Sequence, residues 1–155
     1  MDNENRESFA LYRLEKAKET LKSAKILLEV VKDYTSANNR AYYAIFYAIR
    51  AVLALEEIDF KRHKDVIAYF NQKYIKPEIF PRKLGSKIAQ AQRVREDSDY
   101  DDKYQISYEK TEQQIKNFKN YSQNESSFFI HNTTPKWINL NKSIHGGSSI
   151  WKEFQ

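Results

Sequence analysis

"NNRAYYAIFYAIRAVLAL", residues 38–55, decides the fold. Wound as a helix, Tyr42, Ile45, Phe46, Ile49, Val52 and Leu53 form one apolar stripe. Tyr43, Tyr47 and Ala54 form a second, and Ala44, Ala48 and Ala51 let a neighbour approach closely. A helix that is apolar on several sides is buried on several sides. The spacing predicts a helix over 37–57 at the centre of a bundle, or one whose second face, with Tyr43, Tyr47 and Arg50, meets another subunit. Its opening residues Asn38, Asn39 and Arg40 fall in the first turn, where backbone N–H groups and the dipole make a positive end. Asn38 suits a cap there. Arg40 has the wrong sign, so it is expected to reach solvent or Asp33, or to face an anion. The anion is a phosphate or the acidic loop around Asp97, Asp99, Asp101 and Asp102; this reading favours the loop.

Outward from that helix the apolar period continues. Leu14, Ala17, Leu21, Ala24, Leu28 and Val31 recur at spacings of three and four, which predicts a helix over 8–32. Its six basic residues read as a solvated face. "DYTSANN" breaks the pattern with cap and turn formers. Beyond the connector "EEIDFKRH", a third helix is expected over 63–76 with Val66, Ile67, Phe70 and Tyr74 inward, stopped by Pro77 and Pro81. A fourth is expected over 83–97 (Leu84, Ile88, Ala91) and a last over 107–121 (Tyr108, Ile115, Phe118). The expected fold is therefore all-α, an up-and-down antiparallel bundle of about five helices over residues 8–121. Residues 122–155 are rich in Ser and Asn, hold Trp137 and Trp151, and read as an irregular C-terminal tail or docking segment.

The bulk numbers agree. A chain of 155 residues, 41% hydrophobic and 30% charged, suits one packed domain, and three glycines and three prolines favour long helices. The formal net charge of +5 permits an anionic partner without requiring one. The absence of cysteine excludes disulfides, thiolate nucleophiles and zinc–thiolate sites. No apolar run reaches the roughly 18 residues of a membrane span, and "MDNENRESFA" is no signal peptide. A cytoplasmic protein away from the membrane is expected.

Few motifs carry chemistry. No phosphate-binding glycine loop or serine nucleophile elbow is present. His63, His131 and His145 are too scattered for a local metal motif. No metal and no cofactor are expected. Extending the fourth helix's stripe past Ala91 brings Arg95 and then Asp99 onto the face that looks into the bundle. A buried guanidinium is costly unless paired. Arg95 and Asp99 therefore either make an i, i+4 ion pair at the helix end or line a cleft. "FKRHKD", residues 60–65, is either a solvated connector or a phosphate-contacting patch, with Lys61, Arg62 and Lys64 as charges and His63 as donor.

Together these segments resemble the HEPN domain family. "NNRAYYAIFYAIRAVLALEEIDFKRHKDVIAYF" resembles its central helix pair, "RLEKAKETLKSAKILLE" its first helix, and "RVREDSDY", with Arg95, Asp99 and Tyr100, its functional segment. The resemblance covers residues 8–121. It implies an all-α bundle that forms homodimers, often encoded with a minimal nucleotidyltransferase partner in toxin–antitoxin or defence modules. Active members are metal-independent ribonucleases with an Arg followed four to six residues later by His, and in some a nearby Tyr is modified by the partner. Neither Arg93 nor Arg95 is followed by such a His, and Ser98 stands two places before Tyr100. Serine has no ionisation near neutrality, so the resemblance implies nucleotide, RNA or partner binding ahead of catalysis. The binding candidates are Arg95, Asp99, Tyr100, Arg93, His63, Lys64 and Arg40. A ribonuclease using Arg95 with a remote His63, and an interaction module using the tail, are the alternatives.

Overall fold

The structure, a computed structural model, describes residues 3–101 and 103–118. Among them the chain folds as five helices with no strand, the expected all-α bundle. Helix α1 spans Asn3–Ile26 and continues as a π-helical turn, Leu27–Val31. Helix α2 spans Tyr34–Ala54. Helix α3 spans His63–Phe70 and also continues as a π-helical turn, Asn71–Ile75. Helix α4 spans Arg82–Tyr100, and α5 covers 108–118. The expected division at 121/122, the tail with its tryptophans, His131 and His145 lie outside the described residues.

Helix α2 is the centre: it packs along α1 and also touches α3 and α4. Tyr42, Phe46, Ile49 and Leu53 are buried, and Ala41, Ala44, Ala48 and Ala51 are buried between them. Small side chains at these positions let the helix axes approach, while the large ones fill the space between layers.

The first hairpin sets the register. The π turn of α1 ends at Lys32, whose φ of 63° is left-handed, and the Asp33 N–H closes onto the Leu27 carbonyl at 3.0 Å. Asp33 then caps α2, accepting from the Ser36 N–H at 3.0 Å and from the Ser36 hydroxyl at 2.7 Å. Helix α2 consequently begins three residues before the expected start at 37. This moves Asn38, Asn39 and Arg40 into the second turn. Asn38 is no cap: its side chain is buried, and neither its oxygen nor its nitrogen has a hydrogen-bond partner.

The Ser36 hydrogen bonds hold the Asp33 carboxyl below its usual range. Its contribution is present above the unfolded-state value and is lost as pH falls through the lowered folded value. Asp33→Ala is expected to cost about 1 kcal/mol at neutral pH, read by urea denaturation, with the difference from wild type shrinking in acid. An undiminished difference at pH 2 would argue against capping.

Helix α2 stops at Ala54, short of the expected residue 57, because Glu57 adopts a left-handed φ of 58°. The Ile58 N–H bonds the Leu53 carbonyl at 3.0 Å and the Glu57 N–H the Ala54 carbonyl at 3.1 Å, the paired closure of a left-handed helix terminus. The reversal brings Asp59 back over Arg50. A second reversal at Glu78 (φ 61°) is closed by the Phe80 N–H on the Tyr74 carbonyl at 2.8 Å. It seats Phe80 against Phe70 and Tyr74, and α4 starts directly after Pro81. Helix α4 runs to Tyr100, beyond the expected 97. At α5, Tyr108 stands edge-on to Tyr34 and donates to Glu29 at 3.0 Å, while Ile115 and Phe118 join the core.

Candidate functional site

Tyr43 of α2 is the hub of a cluster of cations and rings. The Arg95 guanidinium, arriving from α4, lies 5.8 Å from the Tyr43 ring and 5.7 Å from the Tyr42 ring. Its Nη2 donates to the Tyr43 hydroxyl at 3.5 Å and pairs with Asp99 at 3.1 Å. Its Nε, shielded from solvent, has no acceptor. The Arg40 guanidinium lies 5.5 Å from the Tyr43 ring. His63, the first residue of α3, meets Tyr43 edge-on at 5.7 Å and Phe46 at 4.2 Å. Contacts of this kind between cations and aromatic faces contribute about 0.5–1 kcal/mol where exposed and more where dry.

The electrostatics follow from this crowding. Burial, then the positive charges of Arg95 and Arg50, push His63 below its ordinary value, so the imidazole is neutral at pH 7. Burial lifts the Tyr42 phenol to about 12, with Arg95 opposing the rise. Tyr42 is thus a neutral, buried hydroxyl that lacks a hydrogen-bond partner.

A second cationic assembly lies at the other end of the same helix face. Arg13 of α1 is buried; its Nη1 donates to the Arg50 carbonyl at 2.9 Å and its Nη2 to Asp59 Oδ2 at 2.7 Å. Arg50 Nη2 reaches both Asp59 oxygens, at 3.0 and 2.7 Å, and the Phe60 N–H donates to Asp59 Oδ1 at 2.9 Å. Burial raises the Asp59 carboxyl, but the two arginines outweigh it and hold the group below its usual range. Beside this clamp, Phe46, Arg50, Asp59, Phe60, Lys61 and His63 line a cavity of about 350 Å³.

The structure gathers some of the candidates named from sequence and scatters others. Arg95, Asp99, Arg40 and His63 converge on or next to Tyr43. Arg93 is exposed, about 200° around α4 from Arg95. Lys64 is exposed beside His63, and Tyr100 stands in solvent at the end of α4. Ser98 folds back onto the helix, donating to the Val94 carbonyl at 2.8 Å. The expected pairing of Arg40 with the acidic loop is not made among the described residues. Once α2 begins at Tyr34, Arg40 points along Tyr43 and contacts Asn39 at 3.4 Å. Arg62 pairs with Asp65 at 2.7 Å and leaves the expected phosphate patch to its neighbours.

Arg13 and Asp59 were not singled out by sequence. Arg13 is one of the six basic residues that read as the solvated face of the first helix, yet Ala10, Arg13, Ala17, Thr20 and Ala24 form a buried three–four series. That series was the available signal. Among the described residues no group of three or more His, Asp or Glu side chains is arranged to hold a metal, and no helix is long and apolar enough to cross a membrane.

Comparison with known proteins gives a consistent set. The HEPN domain family matches residues 10–124. A Thermotoga maritima protein named "UPF0332 protein" is 34% identical over 95 residues, covering 61% of this chain and 71% of that protein. The Methanocaldococcus jannaschii protein named "Putative toxin MJ0142" is 29% identical over 136 residues, 88% of this chain and 85% of its own length. A second protein of that organism, "Putative toxin MJ0605", is 36% identical over 87 residues, 56% of this chain and 64% of its own.

Proposed function

This chain belongs to the HEPN domain family, and from that premise we propose that it is a toxin-type member that binds single-stranded RNA across the Tyr43 face. The observation that carries the reading is the setting of Arg95. It is anchored by Asp99, spread over two tyrosine rings, flanked by Arg40 and His63, and holds an N–H without an acceptor. Interleaved cations and aromatic faces suit a strand whose phosphates and bases alternate, because every base offers a stacking face and every linkage a negative charge. The net charge of +5 works in the same direction. Tyr100 and Lys64 are exposed near Asp99 and His63 in the chain, and in this reading they add stacking and phosphate contact.

Arg95→Ala is expected to weaken binding of a short single-stranded RNA by about 10- to 100-fold, the worth of one charge-assisted hydrogen bond at roughly 1.5–3 kcal/mol. Fluorescence anisotropy at low salt measures it. Arg93→Ala, on the far side of α4, should change the affinity by less than about twofold, as distant exposed charges are screened. Equal affinities for wild type and Arg95→Ala would remove the Tyr43 face from the reading.

One observation favours ribonuclease activity as a second reading. His63 packs against Tyr43, the ring that Arg95 also meets, and in this reading it would stand in for the imidazole absent from the Arg93 and Arg95 windows; burial and nearby arginines hold its basicity below the ordinary value. A single imidazole covers one of the two proton transfers in phosphodiester cleavage, which places binding first. RNA cleavage in the presence of a chelator, abolished by His63→Ala, would reverse that order.

A further inference from the structure

His63 stands between the two cationic assemblies. Its ring meets Tyr43, which Arg95 also meets, and it lines the cavity beside the clamp with Arg50 and Asp59. It is also the first residue of α3, behind an Arg62 cap that makes no side-chain hydrogen bond to the helix. The imidazole lies 4.2 Å from the ring of Phe46, which is buried in the middle of α2. One half-buried side chain thus fastens the start of α3 to α2. Between these helices runs the connector 55–62. It is closed at one end by the Ile58 N–H on the Leu53 carbonyl at 3.0 Å. At the other, the Val66 N–H bonds the Arg62 carbonyl at 3.3 Å.

That seat suits the neutral ring. From α2 His63 faces Arg50 and the Tyr43 phenol, from α4 Arg95, and from the connector Asp59 and Lys61. Lys64 and Asp65 follow it on α3. The nearby carboxylates are committed elsewhere. Asp59 accepts four hydrogen bonds, from Arg13, Arg50 twice and the Phe60 N–H. Asp65 accepts two from Arg62, and Asp99 pairs with Arg95. The charges that act on the imidazole, those of Arg95 and Arg50, are both positive. A proton on the seated ring would add a third positive charge, partly desolvated and at the positive end of a helix.

We propose that His63 is a pH-sensitive latch: neutral, it holds the connector and the start of α3 on α2, and protonated, it leaves Phe46 for solvent and releases that segment. The stimulus is a proton alone, so the latch does not depend on the proposed RNA-binding face. Its sign is fixed. Free in solvent, an imidazole takes its proton near pH 6.5. The seated ring resists protonation, through burial first and the two arginines second. Above the free value both forms are neutral and the latch is at full strength. As pH falls below that value, the released form gains by up to about tenfold per pH unit, until the seated ring takes its proton as well. The released segment includes Asp59, so opening also loosens the clamp on Arg13 and Arg50.

The test follows the full chain by NMR between about pH 7.5 and 5, a range in which carboxylates, with ordinary values near 4, stay charged. Two readouts are taken together: the titration of the His63 ring, and the hydrogen-exchange protection of the Ile58 and Val66 amides that close the connector. In wild type the ring should titrate below pH 6.5. Protection of the two amides should hold level down to about pH 6.5 and then fall by up to about tenfold per pH unit. His63→Phe keeps a ring against Phe46 and cannot take a proton, so its protection should stay level throughout. His63→Gln should give a lower protection that is equally level. A wild-type profile that stays level would mean that the imidazole does not move on protonation, and would overturn the latch. A fall of equal size in wild type and His63→Phe would place the proton on another group, with the same consequence. Should both variants fail to fold, wild type still decides: a ring that titrates at or above pH 6.5 overturns the proposal.

Discussion

Phe46→Ala is expected to destabilise the protein by about 3–5 kcal/mol, the usual cost of deleting a buried phenyl ring. For a chain of this size that corresponds to a fall in Tm of roughly 10 °C or more. The ring is 2% exposed and lies in the middle of α2. It stacks near Tyr42 at 6.3 Å, meets Tyr43 edge-on at 6.4 Å, and carries His63 at 4.2 Å. Its removal opens a void between α2 and the start of α3, at the floor of the 350 Å³ cavity. Phe46→Leu fills most of that void and should cost no more than about 1.5 kcal/mol, as volume-conserving core exchanges do. The two variants separate packing from function. Phe46→Leu should stay folded at 25 °C while weakening RNA binding, because the ring against which Tyr43 and His63 pack is gone. A loss of under 1 kcal/mol for Phe46→Ala, measured by urea denaturation, would contradict the central place assigned to α2.

That central place was legible from the opening stretch because its signal is redundant. Six large apolar residues on one stripe and three alanines on another agree, and no single misreading overturns them. The boundaries were less legible because they depend on backbone conformations that composition does not announce. Lys32, Glu57 and Glu78 all take left-handed φ values of about 60°. Glycine or asparagine would have marked such positions. With lysine and glutamate in their place, the helix ends beside these residues shift by up to three residues from their expected positions, and α1 starts at Asn3, five residues before its expected start at 8. The small shift at Asp33 had a large consequence, since it turned Asn38 from an expected cap into a buried side chain and carried Arg40 onto Tyr43.

The site divides in the same way. Arg95 was legible because it continues an apolar stripe, where a charge stands out against its neighbours, and its ion pair to Asp99 follows from helical spacing alone. His63 could be named but not placed, as its approach to Tyr43 depends on the reversal after α2. The clamp was illegible for a physical reason: its three members come from α1, α2 and the connector, 37 and 46 residues apart along the chain from Arg13 to Arg50 and Asp59. Only the packing of α1 on α2 brings them together. A basic residue amid other basic residues is indistinguishable from a solvated one until the partner helix arrives.

Asp59→Ala should show how much that clamp contributes. Removing one partner of a fully buried ion pair costs about 3–5 kcal/mol, because the charge left behind has no counter-ion. Here the abandoned charge is Arg13, whose side chain is 6% exposed, whereas Asp59 is 49% exposed and Arg50 is 28% exposed. Water already screens the carboxylate, and Arg13 keeps the Arg50 carbonyl and the Phe9 ring at 4.2 Å. The expected loss is accordingly about 2–3 kcal/mol at pH 7. Arg13→Met in the Asp59→Ala background should recover roughly 1 kcal/mol, since an apolar chain of similar length leaves no orphaned charge. The pH dependence has a defined sign. The folded-state value of Asp59 lies below the unfolded one, so its stabilisation is complete above the unfolded value, about 3.9. It disappears as pH falls through the folded value. The difference between wild type and Asp59→Ala should therefore be largest at neutral pH and narrow as pH falls below the unfolded value. A difference that stays constant across that range would mean that Asp59 acts through the shape of the connector and not through its charge. The expected rescue by Arg13→Met would then fail as well.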